Sequence, residues 1–426
     1  MPLDLALIGL GYVGLPVAQE ACRAGLSVVG LDISPEVVTG LNAGRSHVDD
    51  LDDAAVAAML EAGFRAERMD DDAAAQALSR AAAVVICVPT PLSESGGPDL
   101  TAVLAAAERV ATSVREGTLV VLESTTYPGT TDEVVRPVLE RDGRVVGRDL
   151  FLAFSPERID PGNREFGFRN TPKVVGGVTE ACADRAVALY GQLVDEVVRT
   201  RGAREAEMAK LLENTYRHVN IALVNEMARF CHELDIDLWD VISAASTKPF
   251  GFQAFKPGPG VGGHCIPIDP NYLSHRVRAA LGYPFRFVEL AQEINHGMPG
   301  YVVRRVADLL NEAAKPLRGS RVLLLGVTYK ADVSDQRESP ALPIALELLA
   351  KGAHVTWHDP FVTHWPLGDE AGAERADRLE EAVAKSDVTV LLQHHRGYDL
   401  DAVAHQAPLV LDTRGVMRPS ATVERL

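Results

Sequence analysis

Cysteine is scarce in this chain. Cys22, Cys87, Cys182, Cys231 and Cys265 are scattered and odd in number, and no C-x-x-C spacing occurs. That excludes a disulfide framework and a zinc ribbon, and it suits a reducing cytosol. No apolar run approaches the roughly 18 residues of a membrane span, so no membrane partner is expected. The sequence enters a strand-like run at residue 3. That leaves no room for a basic leader and a cleavage site, so a cytoplasmic rather than a secreted protein is expected. Basic residues are in the minority, 42 Lys and Arg against 59 Asp and Glu, for a net charge of −17. Such a balance disfavours nonspecific nucleic-acid binding. An anionic ligand would need local basic groups and helix N-termini. Metal-ligand spacing is also missing. His364, His394 and His395 read as surface histidines, and no metal site is expected.

What is present begins with a βαβ pattern. A short apolar strand at 5–8 runs into Gly9-Leu-Gly11-Tyr12-Val13-Gly14, then an amphipathic helix at 15–24, then a second strand at 26–31 ending in Asp32. This is the dinucleotide fingerprint in its structural context. Gly9 makes the tight turn, Gly11 lets a pyrophosphate approach, and Gly14 lets helix pack on strand. The phosphates would sit at the helix N-terminus. Asp32 is spaced to hold a ribose 2′-hydroxyl and would repel a 2′-phosphate, which favours NAD over NADP.

Residues 47–80 are Asp/Ala-rich and read as mostly helical, with the acidic run 49–53 as a solvated helix start. Strands at 83–88 and 118–122 end in Pro89-Thr90 and in Glu123-Ser124-Thr125. Small hydroxyl residues at the carboxyl ends of parallel strands suit a nicotinamide or sugar edge, or ordinary turn chemistry. Alternation continues to about residue 200. From 203 to 234 apolar positions recur at helical spacing with no Gly or Pro, which predicts one long helix. Lys210 and Asn214 share a face of it. Residues 315–426 repeat the open α/β pattern without a second GxGxxG.

The densest signal is Gly258-Pro-Gly260-Val-Gly262-Gly263-His-Cys265-Ile-Pro-Ile-Asp269. Glycines this dense are costly to order and suit a close backbone approach to a ligand. On the residues alone, Cys265 is either a buried thiol in a turn or an exposed nucleophile. Asp269 before Pro270 is a good N-cap, and the helix it starts would favour a thiolate nearby. The expected fold class is α/β: two Rossmann-like doubly wound domains joined by a long central helix, divided at 1–200, 201–314 and 315–426.

Several motifs in this order resemble the UDP-glucose/GDP-mannose dehydrogenase family, the nucleotide-sugar 6-dehydrogenases. They are GLGYVGLP from Gly9, VPTP from Val88, EST from Glu123, SPER from Ser155, K-x-x-x-N from Lys210, FKPGPGVGGHCIPIDP from Phe255, YKADVSDQRESP from Tyr329, and Asp412-Thr-Arg414. The resemblance implies that Cys265 is the nucleophile. It implies that Lys210 and Asn214 stabilise oxyanions, and that Asp269 and Glu157 handle water with Thr125 beside them. NAD would be held by Gly9, Gly11, Tyr12, Val13, Gly14, Asp32, Pro89, Thr90, Ser124, Thr125 and Arg337. The UDP-sugar would be held by Glu157, Arg158, Lys210, Asn214, Lys256, Gly258, Gly260, Gly262, Gly263, Tyr329, Lys330 and Arg414. A homodimer or higher homo-oligomer built on the long helix is implied too.

Two segments resemble the branch that oxidises UDP-N-acetylhexosamines, in particular UDP-N-acetylglucosamine: Pro156-Glu157-Arg158-Ile-Asp-Pro161 and His264-Cys265-Ile266-Pro267. Pro161 replaces a glutamate of the glucose branch and carries no role. Val37 stands where a basic residue often follows the ribose-binding acid. The competing readings are a two-electron hydroxyacid-type dehydrogenase, which needs no cysteine, and a sugar-nucleotide-binding module without turnover.

Overall fold

A glycine turn between the first strand and helix starts a wound sheet. The structure is a computed structural model that describes residues 3–48, 51–93, 97–160, 163, 165–263, 266–365 and 372–426. His264, Cys265 and Pro161 lie outside the described residues, as do parts of the acidic run 49–53 and of the 93–98 loop. β1 (Leu3–Ile8), α1 (Gly14–Arg23) and β2 (Val28–Asp32) form the expected βαβ unit. Then come α2 (Pro35–Asn42), α3 (Asp53–Glu61), β3 (Arg65–Arg68), α4 (Asp72–Arg80), β4 (Ala81–Ile86), α5 (Thr101–Ser113) and β5 (Leu119–Leu122). A π-helical turn at Thr130–Val135 leads into α6 (Arg136–Leu139), followed by β6 (Phe151–Phe154), β7 (Lys173–Gly177), α7 (Glu180–Tyr190) and β8 (Val197–Arg199).

The strand order is β3-β2-β1-β4-β5-β6-β7-β8. β5 and β6 are buried along their whole length, as strands of a parallel sheet covered by helices are. One pair departs from the parallel pattern: β6 and β7 run antiparallel. β3 corrects the reading of 47–80 as mostly helical. It pairs with β2 at the sheet edge, and its polar Arg-Ala-Glu-Arg composition hides it from a search for apolar runs.

α8 (Ala203–Glu233) is the predicted long helix, 31 residues without a break. It is followed by α9 (Leu238–Ser246), α10 (Asp269–Leu281), α11 (Arg286–His296) and α12 (Met298–Glu312). α10 includes Asp269 itself, one residue earlier than the capping reading places it. Gly297 and Pro299 separate α11 from α12, since proline is tolerated in a first turn but not in a helix interior.

The last stretch contains β9 (Arg321–Leu325), α13 (Ala341–Ala350), β10 (His354–His358), β11 (Glu374–Arg375), α14 (Leu379–Lys385), β12 (Val388–Leu391), α15 (Leu400–Gln406), β13 (Val410–Asp412) and β14 (Val423–Arg425). Its order, β11-β10-β9-β12-β13-β14, repeats the 3-2-1-4-5-6 winding of the first six strands.

The chain forms two compact units. One contains Met1–Glu213 and Asn271–Leu281, the other Asn214–Pro270 and Gly282–Leu426. Among the described residues no helix is long and apolar enough to cross a membrane.

Candidate active site

The turn after β1 is shaped as the fingerprint requires. Gly9 has φ +92°, and a Cβ there would lie 2.7 Å from the carbonyl oxygen of Cys87. A Cβ on Gly14 would lie 1.9 Å from the carbonyl oxygen of Gly9, so neither position admits a side chain. At Gly11 a Cβ would meet nothing within 4 Å. That is an open cradle over the start of α1, flanked by exposed Tyr12 and half-buried Val13. Asp32 is braced from both sides. Its Oδ2 accepts from the N–H of Leu10 at 2.8 Å and its Oδ1 from Ser34 at 2.9 Å. The carboxylate stays half-exposed, with lone pairs left for ribose hydroxyls. The cradle, helix end and braced acid fit a dinucleotide.

The reversal of strand order falls between β1 and β4. Here Thr90 Oγ1 donates to the carbonyl of Thr125 at 2.7 Å, and Ser124 Oγ donates to the carbonyl of Val88 at 2.6 Å. The two strand ends are thereby tied into one rim. Pro89 is exposed on it, and Thr125 is half-buried. The Tyr272 hydroxyl donates to the carbonyl of Thr90 from α10.

β6 ends in the Ser155-Pro156-Glu157-Arg158 segment. Glu157 accepts through Oε1 from the N–H of Arg158 at 2.7 Å and from the N–H of Ile159. Its Oε2 is buried and has no hydrogen-bond donor among the described residues. Lys210 of α8 is 7% exposed and donates from Nζ to the main-chain carbonyl of Glu157 at 2.7 Å. Arg158 turns away, to the carbonyl of Pro172 at 2.6 Å and to Glu213 at 2.9 Å. One turn before Lys210, Glu207 is fully buried. It accepts from Gly129 N, Thr131 N and Thr131 Oγ1 at 2.6 to 2.8 Å, which pins α8 to the π-helical turn. Burial pushes its carboxyl up to about 7, against the pull of those donors.

In the second unit, Asn214 donates from Nδ2 to Oδ2 of buried Asp269 at 2.5 Å. Gly258 N donates to Asn225 Oδ1 at 2.9 Å, and Asn225 Nδ2 donates to Asn295 Oδ1 at 2.9 Å. This buried chain continues to His218, whose carbonyl accepts from Asn295 at 3.3 Å. The other glycines have steric reasons as well. A Cβ on Gly262 would lie 2.6 Å from the carbonyl oxygen of Glu338, and one on Gly263 2.7 Å from the ring of Tyr329. Gly260 has φ +138° and packs on Pro340. Arg414 Nε donates to the carbonyl of Leu392 at 2.6 Å, and burial pulls its pKa down to about 10. Tyr329 and Lys330 are half-buried and Lys256 is exposed. Arg337 is exposed and pairs with Asp335 at 2.6 Å.

The second wound sheet repeats the glycine contact and the two hydrogen bonds of the acid seen in the first, then closes the turn. Gly326 after β9 has φ +79° and abuts the carbonyl oxygen of Gln393, as Gly9 abuts that of Cys87. Asp359 after β10 accepts from Val327 N and Phe361 N, each at 2.8 Å, as Asp32 accepts from Leu10 N and Ser34 N. Asp359 is not open, however. His395 Nε2 lies 2.9 Å from its Oδ2, and both residues are fully buried. His395 therefore is not a surface histidine. It seals the acid that would otherwise face a ribose, consistent with the missing second GxGxxG. His364 is exposed and His394 half-buried.

Sequence reasoning missed Lys173, Tyr190, Asn225, Asn295 and Glu207. A Glu set among the apolar positions Ala203, Ala206 and Leu211 of the long helix is the signal for Glu207. The others carry none, because their burial comes from partners distant in sequence.

Residues 3–194 match the NAD binding domain of the UDP-glucose/GDP-mannose dehydrogenase family, 204–297 its central domain, and 323–419 its UDP binding domain. The chain is 31% identical over 430 residues to the UDP-N-acetyl-D-mannosamine dehydrogenase of Methanococcus maripaludis, with 98% of this chain and 93% of that one covered. It is 36% identical over 363 residues to the UDP-N-acetyl-D-glucosamine 6-dehydrogenase of Pseudomonas aeruginosa, with 85% and 83% covered. Among solved structures, the UDP-D-ManNAc dehydrogenase of Pyrococcus horikoshii superposes with a TM-score of 0.88 at 31% identity, over 99% of this chain and 98% of that one. The three domains in order, with an open dinucleotide cradle in the first sheet and a sealed one in the second, mean that the chain belongs to the UDP-glucose/GDP-mannose dehydrogenase family and is an NAD-dependent nucleotide-sugar dehydrogenase.

Proposed function

We propose that the chain oxidises the C6 hydroxyl of a UDP-N-acetylhexosamine, foremost UDP-N-acetylglucosamine, to the uronic acid. The observation that carries this reading is a thiol, Cys265, between a glycine loop and the start of α10, in a chain that also holds a dinucleotide cradle. NAD supplies the hydride acceptor for both oxidations. The Lys210 ammonium and the Asn214 amide N–H act as donors toward the oxygen that gains charge. The Cys265 thiolate adds to the aldehyde carbon and forms a thiohemiacetal. Loss of a second hydride and of the hydroxyl proton leaves a thioester. Water then attacks the carbonyl, the C–S bond breaks, and the acid leaves with the thiolate regenerated. One water is consumed and two NAD are reduced per sugar.

The buried Oε2 of Glu157, without a donor among the described residues, and the Asn214–Asp269 contact support roles for Glu157 and Asp269 toward that water, and the reading gives Thr125 a part in the same step. For NAD the reading uses Gly9, Gly11, Gly14, Asp32 and the Thr90–Ser124 rim, with Arg337 added. For the UDP-sugar it uses Lys256, the loop glycines, Lys330 and Arg414. It assigns 1–200 to NAD, 201–314 to the central segment and 315–426 to UDP. Four buried, unpaired thiols, Cys22, Cys87, Cys182 and Cys231, suit a reducing cytoplasm.

UDP-N-acetylmannosamine is the second reading, favoured by the Methanococcus relative, a UDP-N-acetyl-D-mannosamine dehydrogenase. NADH release by the purified protein with UDP-N-acetylglucosamine, UDP-N-acetylmannosamine, UDP-N-acetylgalactosamine and UDP-glucose tests it. The expected order of kcat/KM places the first ahead, and a marked preference for UDP-glucose overturns the N-acetylhexosamine reading.

A further inference from the structure

β7 opens with a lysine inside the sheet. Lys173 is 3% exposed. Its ammonium lies 3.1 Å from Oε2 of Glu123, at the end of β5, and 3.7 Å from Oε2 of Glu157. The rings of Phe168 and Tyr190 flank it, with centroids 5.0 and 5.3 Å away. The Tyr190 hydroxyl donates to Oε1 of Glu123. An ammonium this dry costs several kcal/mol unless its partners compensate. Burial works against the charge on Lys173, and the Glu123 and Glu157 carboxylates outweigh it, so its pKa is raised. Burial pushes the Glu123 carboxyl up.

The hydrogen bonds are divided unequally. Glu123 takes the direct bond from Lys173. Glu157 is held as an ion pair, too far for a hydrogen bond. Its Oε1 is occupied by the Arg158 and Ile159 N–H groups, and among the described residues none donates to its Oε2. A lysine bonded directly to Glu157 would fill that oxygen. Two further cations of this region are engaged elsewhere: Lys210 on the main-chain carbonyl of Glu157, and Arg158 on Pro172 and Glu213.

We propose that Lys173, anchored on Glu123, is a positioning residue: it is the counter-ion that fixes the Glu157 carboxylate while leaving Oε2 free to accept a proton from the water that hydrolyses the Cys265 thioester. In that step the water oxygen bonds to the thioester carbonyl carbon, its proton passes to Glu157, and the C–S bond breaks with the electron pair on sulfur. No oxidant enters. The inference rests on the reading of Glu157 given above.

Lys173→Met alone strands two carboxylates in a dry interior and risks the fold. The test therefore uses Lys173→Met/Glu123→Gln, which removes both charges together, with Lys173→Arg as the conservative variant and Glu157→Gln as the reference. Each is mixed with NAD and UDP-N-acetylglucosamine, or with whichever of the four UDP-sugars wild type turns over. NADH is followed through the first turnover, and the intact protein is weighed for a covalent acyl adduct. Glu157→Gln and the double variant are expected to release a burst of NADH, then slow about tenfold to a hundredfold with the adduct accumulated and kcat/KM for the sugar preserved, since KM falls with kcat when breakdown of the adduct limits. Lys173→Arg is expected to turn over within a few-fold of wild type, about what keeping the charge predicts. Glu123→Gln alone, which loosens the anchor, is expected to raise the adduct level and serves if the double variant does not fold. If Glu157→Gln accumulates adduct and neither Glu123→Gln nor the double variant does, the role of Lys173 is overturned and that of Glu157 stands. If Glu157→Gln itself turns over without adduct, the reading of Glu157 falls, and the role of Lys173 with it.

Discussion

Asp359 holds in the second wound sheet the place that Asp32 holds in the first, and His395 covers it at 2.9 Å. His395 Nδ1 accepts from the N–H of Asp332 at 3.0 Å, so the ring carries its proton on Nε2 and donates it to Asp359. Thr328 adds a bond to the carbonyl of Lys330 at 2.8 Å. The pair thus ties together β10, the 328–332 turn and the end of β12. His395→Ala leaves a buried carboxylate without its partner. It is expected to cost about 3 kcal/mol or more, read as a lowered thermal midpoint. An unchanged midpoint would show that the seal is not structural.

Asp32, by contrast, is open. Asp32→Ala removes the acceptor for the ribose hydroxyls and the repulsion of a 2′-phosphate. Loss of a charged hydrogen bond of about 1.5–3 kcal/mol predicts a rise in KM for NAD of roughly tenfold to a hundredfold. The NAD/NADP ratio of kcat/KM should fall as well. Initial rates with both cofactors check this, and an unaltered ratio contradicts the assignment.

Two buried groups oppose each other in pH dependence. Burial, with His296 nearby, pulls His218 from 6.5 down to about 4. The unfolded chain then binds more protons between those values. Stability from this group is present above pH 6.5 and lost as pH falls toward 4, by up to about 3 kcal/mol. Glu207 runs the other way. Its carboxyl is raised from 4.5 to about 7, so its contribution is present below pH 4.5 and lost as pH rises toward 7. His218→Gln should leave a midpoint that falls between pH 4.5 and 7. Glu207→Gln should leave one that rises between pH 4 and 6.5. Parallel melting curves for the two variants would contradict both shifts.

Much of this was legible in the sequence. The first βαβ unit, the 31-residue α8 and the break at Gly297-Met-Pro299 are local patterns of period and punctuation. β3 was not legible, because an edge strand of alternating charge carries no apolar run. His395 was misread because its partner Asp359 lies 36 positions away and burial is a property of the folded chain. Lys173 was hidden for the same reason, with Glu123 50 positions before it. The loop glycines were read only as ligand-facing. Tyr329 and Glu338 give Gly262 and Gly263 a packing reason that no local pattern contains.

α8 also exposes large apolar side chains along its length: Leu212 is 59% exposed, Tyr216 47%, Leu223 54% and Phe230 44%. A row this apolar suits an association surface, and we propose a second copy of the chain as its occupant. Light scattering behind size exclusion should report a dimer or a multiple of it. Leu223→Arg should shift that mass down, and a monomeric wild type would remove the proposal.

In the proposed reaction one protein carries an alcohol through to an acid on a cysteine. NADH formed per UDP-sugar consumed, measured at completion with product identified by mass, tests it directly. Two NADH with a uronic acid is the predicted result, and Cys265→Ser should abolish acid production while still binding NAD. One NADH per sugar, or uronic acid formed unimpaired by Cys265→Ser, would contradict it.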